Sequence, residues 1–208
     1  MASVILTSDD FGMSAIYNAE IINAVGAGWL SSVSVMVNRG ALQDQQVSEL
    51  VKLYQDKQIS LGLHLEIEGK NILEQCTDQW NKYIAVIGMV PDYIDIHKDH
   101  FFKSDYNTVA NFCLLKNVSF RKYTETSVQV KCPDNTFIAS YMDLDDVLEQ
   151  LDIVKQGECF EIVFHIGAFD ETVSSTLNRE REDDLVKLMS VRREMDNKGI
   201  KLINYKMI

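Results

Sequence analysis

Short apolar runs alternate along this chain with longer stretches whose apolar residues recur at helical spacing. Val4-Ile5-Leu6 opens a first strand over residues 3–9, and Ile16, Ala19, Ile21, Ile22 and Val25 then mark a helix closed by Gly26 and Gly28. Ser32-Val33-Ser34-Val35-Met36-Val37 alternates with period two, which predicts a second strand. Val47, Leu50, Val51 and Tyr54 give the next amphipathic helix, and residues 59–67 a third strand. A helix around Trp80, Tyr83, Ile84 and Ile87 stops at Gly88 and Pro91, and Tyr93-Ile94-Asp95-Ile96-His97 is a fourth strand. The pattern then predicts a helix over 107–115 and a strand over 118–123. Next come an irregular loop over 125–140 with a short strand near Phe137-Ile138, and a helix over 143–156 with an acidic first turn. A strand over 160–165, a charged helix over 180–198 and a last strand at Lys201-Leu202-Ile203 complete the chain.

Strands and helices thus alternate without a linker, repeat or low-complexity segment, the mark of a mainly parallel sheet covered by helices. About seven βα units in one domain, taken as residues 1–208, favour a closed or nearly closed α/β barrel over an open sheet. No Gly-x-Gly-x-x-Gly follows the first strand, so a dinucleotide fold has no support.

The net charge of −11 argues against binding nucleic acid through its phosphates and against docking on anionic lipid. Cys76, Cys113, Cys132 and Cys159 show no Cys-x-x-Cys spacing, so neither a zinc knuckle nor a disulfide scaffold is expected. With no signal-peptide pattern at the N-terminus and no apolar run long enough to span a bilayer, a reduced, cytoplasmic protein is expected. A twofold homodimer is the expected assembly, on the general frequency of such dimers.

The chemistry collects at strand ends. Thr7-Ser8-Asp9-Asp10-Phe11-Gly12 sets two adjacent carboxylates between a strand and a glycine turn. Two anions side by side call for a cation or a shared proton between them, although helix capping and turn formation are the commoner fates of Asp before Gly. His64, His97, His100 and His165 all lie at or beyond strand ends, and in a βα barrel the carboxyl ends of the strands build the active site. A carboxylate and two imidazoles with open positions suit zinc or another divalent ion. A second carboxylate beside them could serve as general base, and a further histidine as general acid.

Ser8-Asp9-Asp10-Phe11-Gly12-Met13-Ser14 is followed by Val33-Ser34-Val35-Met36-Val37-Asn38, Gly62-Leu63-His64-Leu65, Asp95-Ile96-His97 and Phe164-His165-Ile166-Gly167. In this order the segments resemble the YdjC-like carbohydrate deacetylases, the chitooligosaccharide deacetylase family, over nearly the whole chain. The resemblance implies a distorted βα barrel that uses one divalent metal ion to hydrolyse N-acetyl groups on mono- or oligosaccharides. It implies Asp10, His64 and His97 as metal ligands, Asp9 as general base, His165 as general acid and Arg121 as a contact to substrate. Arg121 as a solvated strand-end cation is the equal alternative. Two departures stand out. Lys98 and Asp99 follow His97 where the family is richer in histidine, leaving His100 as the nearest equivalent, and Ile166 replaces the proline of the family's His-Pro-Gly. Loops around 69–75 and 125–136 are trimmed, which bears on sugar preference.

The ligand set favours zinc, with magnesium the second candidate because it prefers oxygen ligands. A hydrolase of another amide or ester and a catalytically silent sugar-binding barrel are the alternative functions; intact Asp9 and His165 speak against the second.

Overall fold

The computed structural model describes residues 2–57, 59–98, 106–121, 123 and 126–208. Its elements are β1 (Ser3–Phe11), α1 (Ala15–Gly26), β2 (Ser32–Val35), α2 (Asp44–Lys57), β3 (Ser60–Leu65), α3 (Ile72–Ile87), β4 (Tyr93–Ile96) and α4 (Tyr106–Lys116). There follow β5 (Ser119–Phe120), β6 (Asn135–Ile138), α5 (Leu144–Ile153), β7 (Cys159–Phe164), α6 (Arg181–Lys198) and β8 (Lys201–Leu202). The predicted strand over 118–123 is shorter than the pattern suggested, although Arg121 N–H still donates to Ile94 O at 2.9 Å. His100 lies outside the described residues.

All strand pairs are parallel, in the order β5-β4-β3-β2-β1-β7-β6, with β8 against the start of β1. Ser3 and Val4 pair with β8, and β2 takes over from Thr7 on the same side, so β8 sits beneath β2. Among the described residues β5 and β6 do not pair. Side chains nevertheless cross the gap: Arg121, just past β5, donates through Nε to Glu161 Oε2 of β7 at 3.0 Å. β5 and β7 stand five places apart in the strand order, so their side chains touch in this way only if the sheet curls. The result is a half-barrel, the distorted form of the barrel that the alternation predicts.

Both faces of the sheet are buried, for different reasons. Val4, Leu6, Val33, Val35, Leu61, Leu63, Ile94, Phe120, Ile162 and Phe164 pack outward into the main core under the helices. Alternate residues point inward and are largely polar: Thr7, Ser32, Ser34, His64, Asp95 and Glu161 are all 2% exposed or less. Such groups are tolerated in the interior because they bond one another. The bottom of the lumen is plugged by Ile5, Tyr93, Ile203 and Tyr205, with the two tyrosine rings stacked at 3.8 Å. Gly62 packs against that plug, where an added Cβ would come within 2.3 Å of the Tyr93 ring.

Candidate metal centre and active site

β1 carries a left-handed residue one position before its end. Asp10 has φ 70°, a conformation that Asp adopts more readily than most side chains, and Gly12 follows at φ 103°. The turn is closed by Met13 N–H donating to Asp10 O at 3.0 Å. It breaks the pleat, so that Asp9 and Asp10 both line one pocket instead of facing opposite sides of the sheet. Ser14 then caps α1, its Oγ accepting from Ile16 N–H at 3.0 Å.

Three donor atoms converge there from the ends of three strands. Asp10 Oδ1 is 3.4 Å from His64 Nε2 and 3.4 Å from His97 Nδ1, and the two imidazole nitrogens are 3.1 Å apart. Ligands bound tetrahedrally at about 2.0–2.1 Å stand roughly 3.3 Å from one another, so the triangle has the dimensions of a zinc site. Asp10 Oδ1 is buried and without a hydrogen-bond partner among the described residues. A buried carboxylate oxygen in that state calls for a cation. The donor set and the orphaned oxygen both fit a divalent ion.

His64 is oriented for that task. Its Nδ1 lies 2.5 Å from Asp95 Oδ2, which accepts the Nδ1 proton and turns the Nε2 lone pair toward Asp10 and His97. Burial alone would push the His64 pKa down, but the carboxylates of Asp95, Asp9 and Asp10 around it hold it well above the usual imidazole range. Burial likewise pushes Asp10 up. The imidazoles of His64 and His97 and the charge of Arg181 outweigh it, leaving Asp10 well below the usual carboxylate range. Asp9, His64 and Asp95 form a second tight group, but there the cation is already supplied. Arg121 Nη1 lies 2.7 Å from Asp9 Oδ2 and 2.6 Å from Asp95 Oδ2, and its Nη2 lies 2.9 Å from Asp9 Oδ1.

Arg121 is therefore not a solvated cation. It is 2% exposed, lines the pocket wall, and directs its donors at Asp9, Asp95 and Glu161. Glu161 is steadied in turn by Thr7 Oγ1 at 2.6 Å and Tyr205 Oη at 2.6 Å.

Across the pocket, His165 follows β7. Its Nδ1 is 2.9 Å from Ser140 Oγ, and that hydroxyl donates to Asp184 Oδ2, which also accepts the His165 backbone N–H at 2.9 Å. A serine hydroxyl has one proton. With that proton directed at Asp184, His165 Nδ1 must be the donor to Ser140, and Nε2 is the ring nitrogen left for other chemistry. Burial lowers the His165 pKa, so the ring favours its neutral form.

Asp9, Asp10, His64, His97, Arg121 and His165 all line a single cavity of ≈ 300 Å³. Its outer wall carries Arg39, Lys98 and Tyr141 with the hydroxyl-rich segment 172–176. Sequence reasoning missed Asp95 as the partner of His64, Ser140 and Asp184 behind His165, and Arg181, whose Nη2 lies 2.6 Å from Asp10 Oδ2. Asp95 had a signal: it shares the inward face with His97 at period two. Arg181 and Asp184, three apart, share one face of α6. Their helix is so heavily charged throughout that nothing distinguished that face.

The family model for YdjC-like proteins matches residues 3–75, the segment that carries Asp9, Asp10 and His64. A carbohydrate deacetylase of Clostridium beijerinckii is 23% identical over 246 aligned positions, covering 98% of each chain. Over residues 3–75 the chain resembles the YdjC-like proteins. A chitooligosaccharide deacetylase of Yersinia enterocolitica is 24% identical over 151 residues, covering 57% of this chain and 58% of its own.

Solved structures agree on the fold of this chain. A putative cellobiose-phosphate cleavage protein of Enterococcus faecalis superposes with TM-score 0.79 at 20% identity, covering 99% of this chain and 98% of its own. A polysaccharide deacetylase of Bacillus cereus gives TM-score 0.54 at 12% identity, with coverage of 99% and 92%. The family's proline after the strand-end histidine is here Ile166, which is fully buried in the main core and so adds packing where proline would add stiffness. Among the described residues no helix is long and apolar enough to cross a membrane.

Proposed function

We propose that this chain is a divalent-metal-dependent hydrolase that removes the acetyl group from an N-acetylated mono- or oligosaccharide. The observation that carries the reading is the Asp10–His64–His97 triangle with edges of 3.1–3.4 Å around an orphaned carboxylate oxygen. The deacetylase relatives support the substrate class. Asp10, His64 and His97 would hold the ion, and two nitrogens with one oxygen favour zinc over magnesium. When bound, the ion supplies Lewis acidity at the acetyl carbonyl and lowers the pKa of water at the site.

The chain's own residues divide the proton transfers. Asp9, held by its two-point contact with Arg121, takes the proton of the attacking water as the new C–O bond forms. His165, neutral at rest, takes a proton from solvent at Nε2 and delivers it to the sugar nitrogen as the C–N bond breaks, while Asp9 returns its own proton to solvent, yielding acetate and the free amine. Ser140 and Asp184 steady the imidazolium while it carries that proton. Arg121 acts here by holding Asp9 and Asp95, and the sugar meets the outer wall of the cavity.

The test is acetate release from a panel of N-acetylated mono- and disaccharides, measured with metal content before and after chelation. Release that stops on chelation and returns with zinc is the expected result. Tight zinc binding without acetate release from any of them would exclude the deacetylase reading.

A further inference from the structure

Asp10 uses its two oxygens differently. Oδ1 faces the imidazoles of His64 and His97, whereas Oδ2 accepts from Arg181 Nη2 at 2.6 Å. Arg181 is fully buried and does not line the cavity. Its guanidinium carbon stacks 3.9 Å from the centre of the Tyr17 ring, and Tyr17 Oη is itself fixed by Asn178 Oδ1 at 2.6 Å. Gly167 completes the slot, since a Cβ there would come within 2.6 Å of the Tyr17 ring and 3.3 Å of Arg181 Cδ. Within it Arg181 Nε and Nη1 have no hydrogen-bond partner among the described residues. A guanidinium buried with two donors unpaired is costly to fold around, and packing alone would be better served by a methionine or leucine. Its retained charge therefore points to a role at Asp10.

We infer that Arg181 is a positioning residue for the metal centre: it occupies Asp10 Oδ2 and compensates its charge, so that the ion meets a single carboxylate oxygen in a ligand set of no net charge. This rests on the reading of Asp10, His64 and His97 as metal ligands. Two consequences follow. Bidentate chelation by Asp10 is blocked, which leaves positions at the ion open to water and substrate. A fixed cation beside the ligand carboxylate also repels the ion, weakening its hold while keeping it a stronger Lewis acid.

The experiment compares wild type, Arg181→Met, Arg181→Gln and Arg181→Lys, each stripped of metal and shown by circular dichroism to be folded. Each is titrated with zinc in competition with a chromophoric chelator, and with cobalt(II) to read coordination from its visible spectrum. Removing the charge should tighten zinc by about ten- to a hundredfold, the usual size of an outer-shell effect. The cobalt absorption of the same variants should weaken, as expected on going to higher coordination. Arg181→Lys, which keeps the charge, should stay near wild type. If Arg181→Met does not fold, Arg181→Gln is read with the same expectation. Zinc affinity unchanged or weaker in a folded charge-free variant would overturn the inference, as would tightening in Arg181→Lys equal to that in Arg181→Met. Wild-type protein that takes up no zinc would overturn the metal reading itself, a failure visible without any variant.

Discussion

Asp95 Oδ2 is shared between two functional groups, 2.5 Å from His64 Nδ1 and 2.6 Å from Arg121 Nη1. One carboxylate oxygen thus sets the tautomer of a proposed metal ligand and anchors the cation that holds the proposed base. Asp95→Asn keeps the shape but removes the charge, and its amide can present a donor where His64 needs an acceptor. Metal affinity should fall by about ten- to a hundredfold. Zinc titration of the metal-free variant checks this, and an unchanged affinity would show that His64 is oriented by other means.

The adjacent carboxylates should separate in their effects. Asp9→Asn removes the base while leaving Asp10, His64 and His97 untouched, so metal should stay bound while kcat drops about a hundredfold to ten-thousandfold. Asp10→Asn should weaken metal binding instead, with partial recovery of activity at excess zinc. Recovery for Asp9→Asn and none for Asp10→Asn would mean the roles are exchanged. Full activity in both would dismiss the mechanism.

Arg121 is a matter of stability as much as of activity. Replacing it by methionine strands Asp9, Asp95 and Glu161 as buried carboxylates without their shared cation. Breaking one partner from a buried ion pair typically costs about 3–5 kcal/mol, and here three anions lose the same partner. Urea unfolding of Arg121→Met should show a loss at the upper end of that range or beyond. A loss under about 1 kcal/mol would mean that water already reaches these groups, as at surface ion pairs.

Much of this architecture was legible in the chain, for reasons particular residues make plain. Ser32-Val33-Ser34-Val35 read as a strand because its valines must face the helices, and its serines face the polar lumen. Asp9, Asp10, His64 and His97 were legible because strand ends in a parallel sheet gather at one rim. Residues acting from behind were not. Ser140 stands in a short 3₁₀ turn within the stretch read as irregular, and Asp184 sits in a run of acidic residues at the start of α6. Only the curl of the sheet and the docking of α6 bring them to His165, and local pattern carries neither. Arg121 was read as a substrate contact on the family resemblance, or as a solvated cation because arginine is usually exposed, and its contacts with Asp9, Asp95 and Glu161 depend on the curl of the sheet.

Three of the four thiols, those of Cys76, Cys113 and Cys159, should be inert in the folded protein. Burial pushes Cys76 and Cys159 up to about 12 and Cys113 upward as well. Since the folded values lie above the ordinary thiol value of 9.0, the fold favours the neutral form. That contribution is fully present below pH 9 and is lost as pH rises toward 12. The thiolate is the nucleophile, so at pH 8 Cys76 and Cys159 should alkylate about a thousandfold more slowly than in the unfolded chain. Iodoacetamide labelling read by mass spectrometry, with and without denaturant, checks this; equal rates in both states would refute it.

Gly62 tests how tightly the lumen is closed beneath the site. A strand interior ordinarily disfavours glycine, so on local preference alone Gly62→Ala should stabilise β3. The structure predicts the reverse, because the new methyl would enter the Tyr93 ring, which cannot retreat while it stacks on Tyr205 at 3.8 Å and receives Ser32 Oγ–H at its Oη, 2.8 Å away. Overpacking of this kind typically costs about 1–3 kcal/mol, and Gly62→Ala should lose that much in urea unfolding. The same change made in a Tyr93→Ala background should lose nothing further, since the obstructing ring is gone, and the difference between the two backgrounds isolates the contact. A penalty of the same size with and without the Tyr93 ring would locate the constraint in the β3 backbone and not in the plug.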